Sequence, residues 1–280
     1  MSGVSAVSPA GSAELARPPA LEVPGPLRLL AGARAMGLAE MQKLRHDYLD
    51  LITRSVQPLL WLFVFGTALR HNRTLAAGTG DYRAYIAPGI MAQAALFIAI
   101  FFGLAVIWER DVGQLQRMLA TPLPRTAIVL GKSAGAGVRA FVQAAVLLIV
   151  LAIASIGLQW SVLGVVGSLV LLVIGTGAFA SMSMLIAAGV KTRERFMGIG
   201  QLIMMPLFFA SSALYPLSIM PEWLHAVARV NPLTYEVQGL RQMLLGVGGK
   251  GEVWLDFLVV VGFFVAMVAA ATKAYPRAIL

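Results

Sequence analysis

A chain of 280 residues that is 59% hydrophobic and 12% charged, with a mean hydropathy of +0.80, has too little polar surface for a water-soluble globule, so lipid must solvate much of it. The net charge of +9 comes without a basic and aromatic surface or a nucleic-acid module, which excludes a nucleic-acid binder. The absence of cysteine excludes disulfides, thiolate catalysis and Cys-ligated metals.

Residues 1–25 are rich in Ser, Ala, Gly and Pro and are expected to form a disordered cytoplasmic tail. Over 26–50 the pattern changes: Leu27, Leu30, Met36, Met41 and Leu44 alternate with Arg34, Glu40, Lys43 and Arg45. This predicts an amphipathic helix lying at the membrane interface. Residues 51–280 then carry six apolar stretches, read as spans over 52–69, 85–108, 138–158, 162–190, 196–214 and 257–271. Only Gln159, Trp160 and Ser161 separate the third and fourth, which predicts a tight hairpin. The fold class is therefore an all-α membrane protein with six transmembrane helices.

Arginine and lysine set the orientation. With both termini inside, 16 of the 22 basic residues fall on the cytoplasmic side and 6 on the other, a positive-inside bias. Arg outnumbers Lys, and Ala and Gly are abundant, as in chains from GC-rich bacterial genomes.

Two segments interrupt the apolar plan. The first is ERDVGQLQRMLATPLPR, from Glu109 to Arg125. A short helix over 114–120, stopped by Thr121-Pro122 and Pro124, would present charges and apolar knobs together, as a solvated loop or as a helix seated in a partner's groove. The second is YPLSIMPEWLHAVARVNPLTYEVQGLRQMLLG, from Tyr215 onward. It is too apolar for a free loop, and Pro216, Pro221 and Pro232 cut it into short helices. We read these as re-entrant pieces dipping into the outer leaflet, with Trp223 and Tyr235 as interfacial anchors.

Chemistry is sparse. No Asp or Glu falls within the middle of any predicted span, which argues against an ion-coupled carrier. The deep polar groups are amides and hydroxyls; Gln57, Gln93, Gln143 and Gln201 either tie helices together or line a polar pathway. Gly131-Lys132-Ser133 imitates the end of a phosphate-binding loop, but the glycine needed at 126 is Thr126. Lys132 is instead expected to anchor the third span at the cytoplasmic surface. His46, His71 and His225 are scattered and join no acidic constellation, so no catalytic set is visible.

The two interrupting strings, in this order among six spans, resemble the permeases of the ABC-2 type, especially the daunorubicin-resistance and nodulation-factor exporters. Gln238 departs from them, standing where many members carry an acidic residue. The resemblance implies a permease subunit of an ATP-driven exporter of an amphiphilic substrate. Two six-span subunits, as a homodimer or heterodimer, would pair above separate ATPase subunits in a bacterial plasma membrane, with both termini cytoplasmic. It implies no cofactor on this chain, ATP and Mg belonging to the partner. Within the docking segment it assigns Glu109, Arg110, Gln114, Arg117 and Leu119 to ATPase contact. It makes Pro216, Pro221, Trp223, Asn231, Pro232 and Tyr235 part of an outer cap. An ion-coupled carrier or channel without an ATPase is the alternative.

Overall fold

The computed structural model describes residues 31–35, 37–38, 42, 48–70, 73–76, 79–119, 123–247 and 253–274; among them every regular element is helical. The predicted tail over 1–25 and most of the predicted interfacial helix over 26–50 lie outside the described residues, although 31–35 and 37–38 are helical. From residue 48 the helices are α1 (Tyr48–Ala68), α2 (Arg73–Ala76), α3 (Tyr82–Asp111), α4 (Gln114–Leu119), α5 (Arg125–Ile153), α6 (Val162–Gly189), α7 (Arg193–Phe209), α8 (Glu222–Val230), α9 (Pro232–Leu245) and α10 (Val253–Ala274), with a single 3-10 turn at Leu217–Ile219 before α8.

Local chemistry sets the boundaries. The side chains of Asp81, Ser161, Thr192 and Asn231 each accept a hydrogen bond from a backbone N–H of the following first turn, satisfying a donor the helix cannot. At Gly113 the backbone turns through φ 72°, a left-handed conformation cheap only for glycine, and this breaks α3 from α4. Gly246 ends α9 in the same way at φ 63°.

α6 is apolar on all sides and forms the hub, packing against α3, α5, α9 and α10. Its interior hydroxyls satisfy themselves: Ser168 donates to the carbonyl of Gly164, Thr176 to Leu172 and Ser181 to Gly177. In lipid, Leu against Leu gains little over Leu against an acyl chain, so helices associate through close packing of small residues. α3 follows that rule, with Ala84, Ala87, Ala92, Ala95 and Ala99 buried along it. Ser183 of α6 then fastens the pair, donating to Ile100 O at 2.6 Å and accepting from Gly103 N at 3.1 Å.

Four helices, α3, α5, α6 and α10, are long and apolar enough to cross a membrane by length and composition among the described residues. α1 contributes a shorter apolar stretch, Ser55–Ala68. α7 has 17 residues, about 25 Å of rise against a hydrocarbon core of about 30 Å. It ends five residues before the predicted fifth span does, because after Pro206 the chain breaks into the turn holding Ser211 and Ser212. α5 differs in the other direction: it starts at Arg125 rather than near 138, since nothing from 125 to 137 breaks a helix and Lys132 is buried within it at 1% exposure. Lys132 is therefore no surface anchor.

Candidate functional site

The segment expected to dock an ATPase is built as a corner. α3 ends at Asp111, Gly113 turns the chain, and α4 lies across the end of the bundle. Leu115 points inward, fully buried with Val106, Ile107, Ile128 and Met184, while Gln114 and Arg117 face outward. The side chain of Leu119, the expected apolar knob, lies outside the described residues.

Glu109 is not on that outer surface. It is buried and ion-paired with Lys132 of α5, so its charge holds α3 to α5. Arg110 also turns back into the protein: its guanidinium donates to Val190 O at 3.0 Å and to Lys191 O at 2.7 Å, just past the C-terminus of α6, where a cation is favoured. Arg193 completes the corner, donating to Asp111 Oδ2 at 3.0 and 2.8 Å and lying 4.0 Å from the Trp108 ring centroid. Sequence reading missed Arg193; the only signal was its position in a short basic loop.

The four glutamines converge. Gln57, Gln93 and Gln143 line one 160 Å³ cavity between α1, α3 and α5. Gln57 and Gln201 line an adjoining 300 Å³ cavity between α1, α3 and α7. Phe97 and Phe101, their rings stacked 6.4 Å apart, border both. Gln93 and Gln143 are buried at the base, whereas Gln57 and Gln201 are exposed at the open side. Met197, Met204 and Met205 give the larger cavity a deformable apolar wall. Apolar surface with a few convergent amides is the usual make-up of a small-molecule site.

At the opposite end, Asn231 joins elements far apart in sequence. Its Nδ2 donates to Leu207 O at 2.7 Å and Ala210 O at 3.1 Å, and its Oδ1 caps α9 by accepting from Leu233 N at 3.0 Å. Pro232 opens α9 and Pro221 precedes α8. Pro216 starts the 3-10 turn, Tyr235 donates to Arg229 O at 2.7 Å, and Trp223 projects from the surface.

No acid lies in the middle of a predicted span, but α9 brings one against α6. α9 folds back so far that the carboxylate of Glu236 lies against Gly175, halfway along α6. A Cβ at position 175 would come within 2.4 Å of Glu236 Oε2, so only glycine leaves room for the acid. Glu236 is 1% exposed and its Oε1 has no hydrogen-bond partner among the described residues. An acid thus sits beside the midpoint of α6, two residues before Gln238. It lines neither glutamine cavity. Asp256, near the start of α10, is also buried, at 3% exposure, with Oδ2 unpartnered among the described residues. Arg241 instead donates to Ser212 O at 2.8 Å and lies 3.9 Å from the Tyr85 ring centroid. Sequence alone counted Arg241 among the outside basic residues, because it cannot show how closely α9 folds back against α6.

A match to the ABC-2 type transporter family covers residues 33–245, taking in the docking corner, the glutamine cavities and α9. The chain belongs to the ABC-2 type transporter family. A protein named transport permease ycf38 from Cyanophora paradoxa is 31% identical over 205 residues, covering 71% of this chain and 69% of its own length. Nodulation protein J of Rhizobium leguminosarum bv. trifolii is 30% identical over 200 residues, 70% of this chain and 74% of that one. The daunorubicin resistance ABC transporter permease protein DrrB1 of Streptomyces coeruleorubidus is 22% identical over 235 residues, 84% of this chain and 82% of its own. This ABC-2 permease is a multi-pass membrane protein of an ABC transport system, and its relatives are named as transport permeases.

Proposed function

We propose that the chain is the membrane-spanning permease subunit of an ATP-driven exporter in a bacterial plasma membrane, moving an amphiphilic substrate out of the cytoplasm. α1, α3, α5, α6, α7 and α10 are its six spans, both termini are cytoplasmic, and α8 and α9 are re-entrant from the outer side. The exposed faces of Gln114 and Arg117 meet a separate ATPase subunit that supplies ATP and Mg; this chain carries no nucleotide site. Arg110 and Glu109 shape that surface from within, one by holding the α6–α7 loop and the other by pairing with Lys132.

The observation that carries this reading is the position of the glutamine cavities. The larger lies between α1 and α7, with the smaller adjoining it, and Leu60, Val64 and Leu202 on those two helices are exposed apolar groups. A second copy laid against that face would enclose a path with amides at its base and aromatic and methionine side chains along its walls. The cavity suits a ring system or acyl chain bearing a few hydrogen-bonding groups, which fits the drug and nodulation names of the relatives.

The test is reconstitution with an ABC ATPase that co-purifies with the chain from its own host, using daunorubicin as probe in inverted vesicles. We expect ATP-dependent uptake, and Gln93→Leu should raise the KM about tenfold, the effect of about 1.4 kcal/mol. Uptake without ATP, or no complex with any ATPase, would leave the ion-coupled alternative standing, and Glu236 would then be its natural proton carrier.

A further inference from the structure

α7 is attached in an unusual way. It packs chiefly against α3. One flank borders the 300 Å³ glutamine cavity. The other borders a 770 Å³ apolar groove facing Val227 and Val230 of α8. Leu202 and Met205 stand exposed along its length. By contrast, both ends are pinned by directed polar bonds.

At the docking end the pin is Arg193. It holds Asp111 through two nitrogen donors and stacks on Trp108, while Arg110 grips the carbonyls of Val190 and Lys191 in the loop just ahead. At the far end the pin is Asn231, whose amide takes the carbonyls of Leu207 and Ala210 while its oxygen caps α9. No single exposed ion pair fixes a helix, because such pairs are weak. Here a fork on a carboxylate, a cation over an indole and a guanidinium on two carbonyls act on one short stretch.

We propose that α7 is a tie rod. Displacement of the docking corner is transmitted along α7, through Arg193 at one end and Asn231 at the other, to the α8–α9 end of the bundle. A helix is stiff along its axis because its own hydrogen bonds hold it. One that is fastened at its ends and loosely packed on its flanks moves as a unit. Arg193 and Asn231 are positioning residues for transport. This proposal rests on the docking corner being the ATPase contact.

The chain has no cysteine, so spin-label pairs can be introduced without background. One pair, Val112→Cys with Arg125→Cys, both exposed, reads the docking corner. The other, Ile219→Cys with Val261→Cys, reads the far end. Distances are measured in the full complex with the co-purifying ATPase, without nucleotide and with vanadate-trapped ATP. In the otherwise unaltered protein both pairs shift on trapping. In Asp111→Arg or Arg193→Asp alone the docking pair still shifts and the far pair does not. Transport per ATP hydrolysed falls about tenfold, within the range usual for coupling between sites. The double swap remakes the ion pair but not the stack on Trp108, and recovers most of both readouts. Asn231→Asp keeps the cap acceptor on α9 but loses the donors to Leu207 and Ala210, and gives the same uncoupling. A far-end shift that persists in the single variants, or a double swap that rescues nothing, overturns the tie rod. If neither pair responds to ATP in the unaltered protein, the ATPase-docking reading fails and the tie rod fails with it.

Discussion

The ion pair of Lys132 with Glu109 offers the sharpest check on how α3 and α5 are joined. Lys132 is 1% exposed and Glu109 6%. One heptad further along the pair of helices Arg139 stacks over Phe102 at 4.9 Å, so the two contacts report one antiparallel register. Lys132→Met keeps most of the side-chain volume and removes the cation facing a buried carboxylate. Breaking such a pair costs about 3–5 kcal/mol, and at ~2–4 °C per kcal/mol the loss is about 6–20 °C in Tm. The assay is thermal unfolding of the detergent-purified protein, followed by size exclusion after heating. Lys132→Met with Glu109→Gln should recover most of the loss, since replacing both charges of a buried pair is often neutral. A single variant as stable as the unaltered protein would refute the reasoning. So would a double variant no better than the single, because the cost would then lie in packing rather than charge.

Glu236→Gln should leave Tm within about 1 °C or raise it, because the swap keeps the shape packed against Gly175 and Oε1 has no hydrogen-bond partner to lose among the described residues; Glu236→Lys should abolish folded expression, read as detergent-soluble monodisperse protein. Gly175→Ala should destabilise by about 1–3 kcal/mol through overpacking on Glu236, and Glu236→Ala in the same chain should relieve most of it, read as Tm. Asp81 caps α3 through Arg83 N at 2.9 Å, so Asp81→Ala should cost about 1 kcal/mol near neutral pH. Burial pushes the Asp81 carboxyl up, but the hydrogen bonds from Arg83 and the charges of Arg83 and Arg70 outweigh it and hold the group below its ordinary value. Its contribution is therefore present above the unfolded-state pKa and lost as pH falls through the lowered folded value, so Tm curves of Asp81→Ala and the unaltered chain should converge only below the ordinary carboxylate range.

Periodicity and punctuation made much of the helical plan legible. The break at Gly113 and the α8 start after Pro221 follow from local chemistry that a sequence displays, whereas the expected three-residue hairpin at 159–161 is a longer connection, because α5 already ends at Ile153 and α6 starts at Val162. Depth did not follow. Charge was read as exposure, so Lys132, Glu109 and Arg241 were assigned to surfaces, yet each is buried, as is Glu236. Each is buried because its helix runs on or folds back against another: α5 extends toward 125, and α9 descends to the midpoint of α6. The glutamines were legible as a set and illegible as a site, since an amide on a span is equally suited to packing and to lining a path. Their convergence depends on α7 staying off α1, and α7 stays off because its polar bonds lie at its two ends rather than along its flank. The same distribution of bonds keeps the cavity open and leaves its wall free to move. Shortening the space between α1 and α7 with Gln201→Phe should therefore both fill the cavity and stiffen the rod, lowering transport without weakening the fold. A variant that transports normally with that space filled would show that the path lies elsewhere.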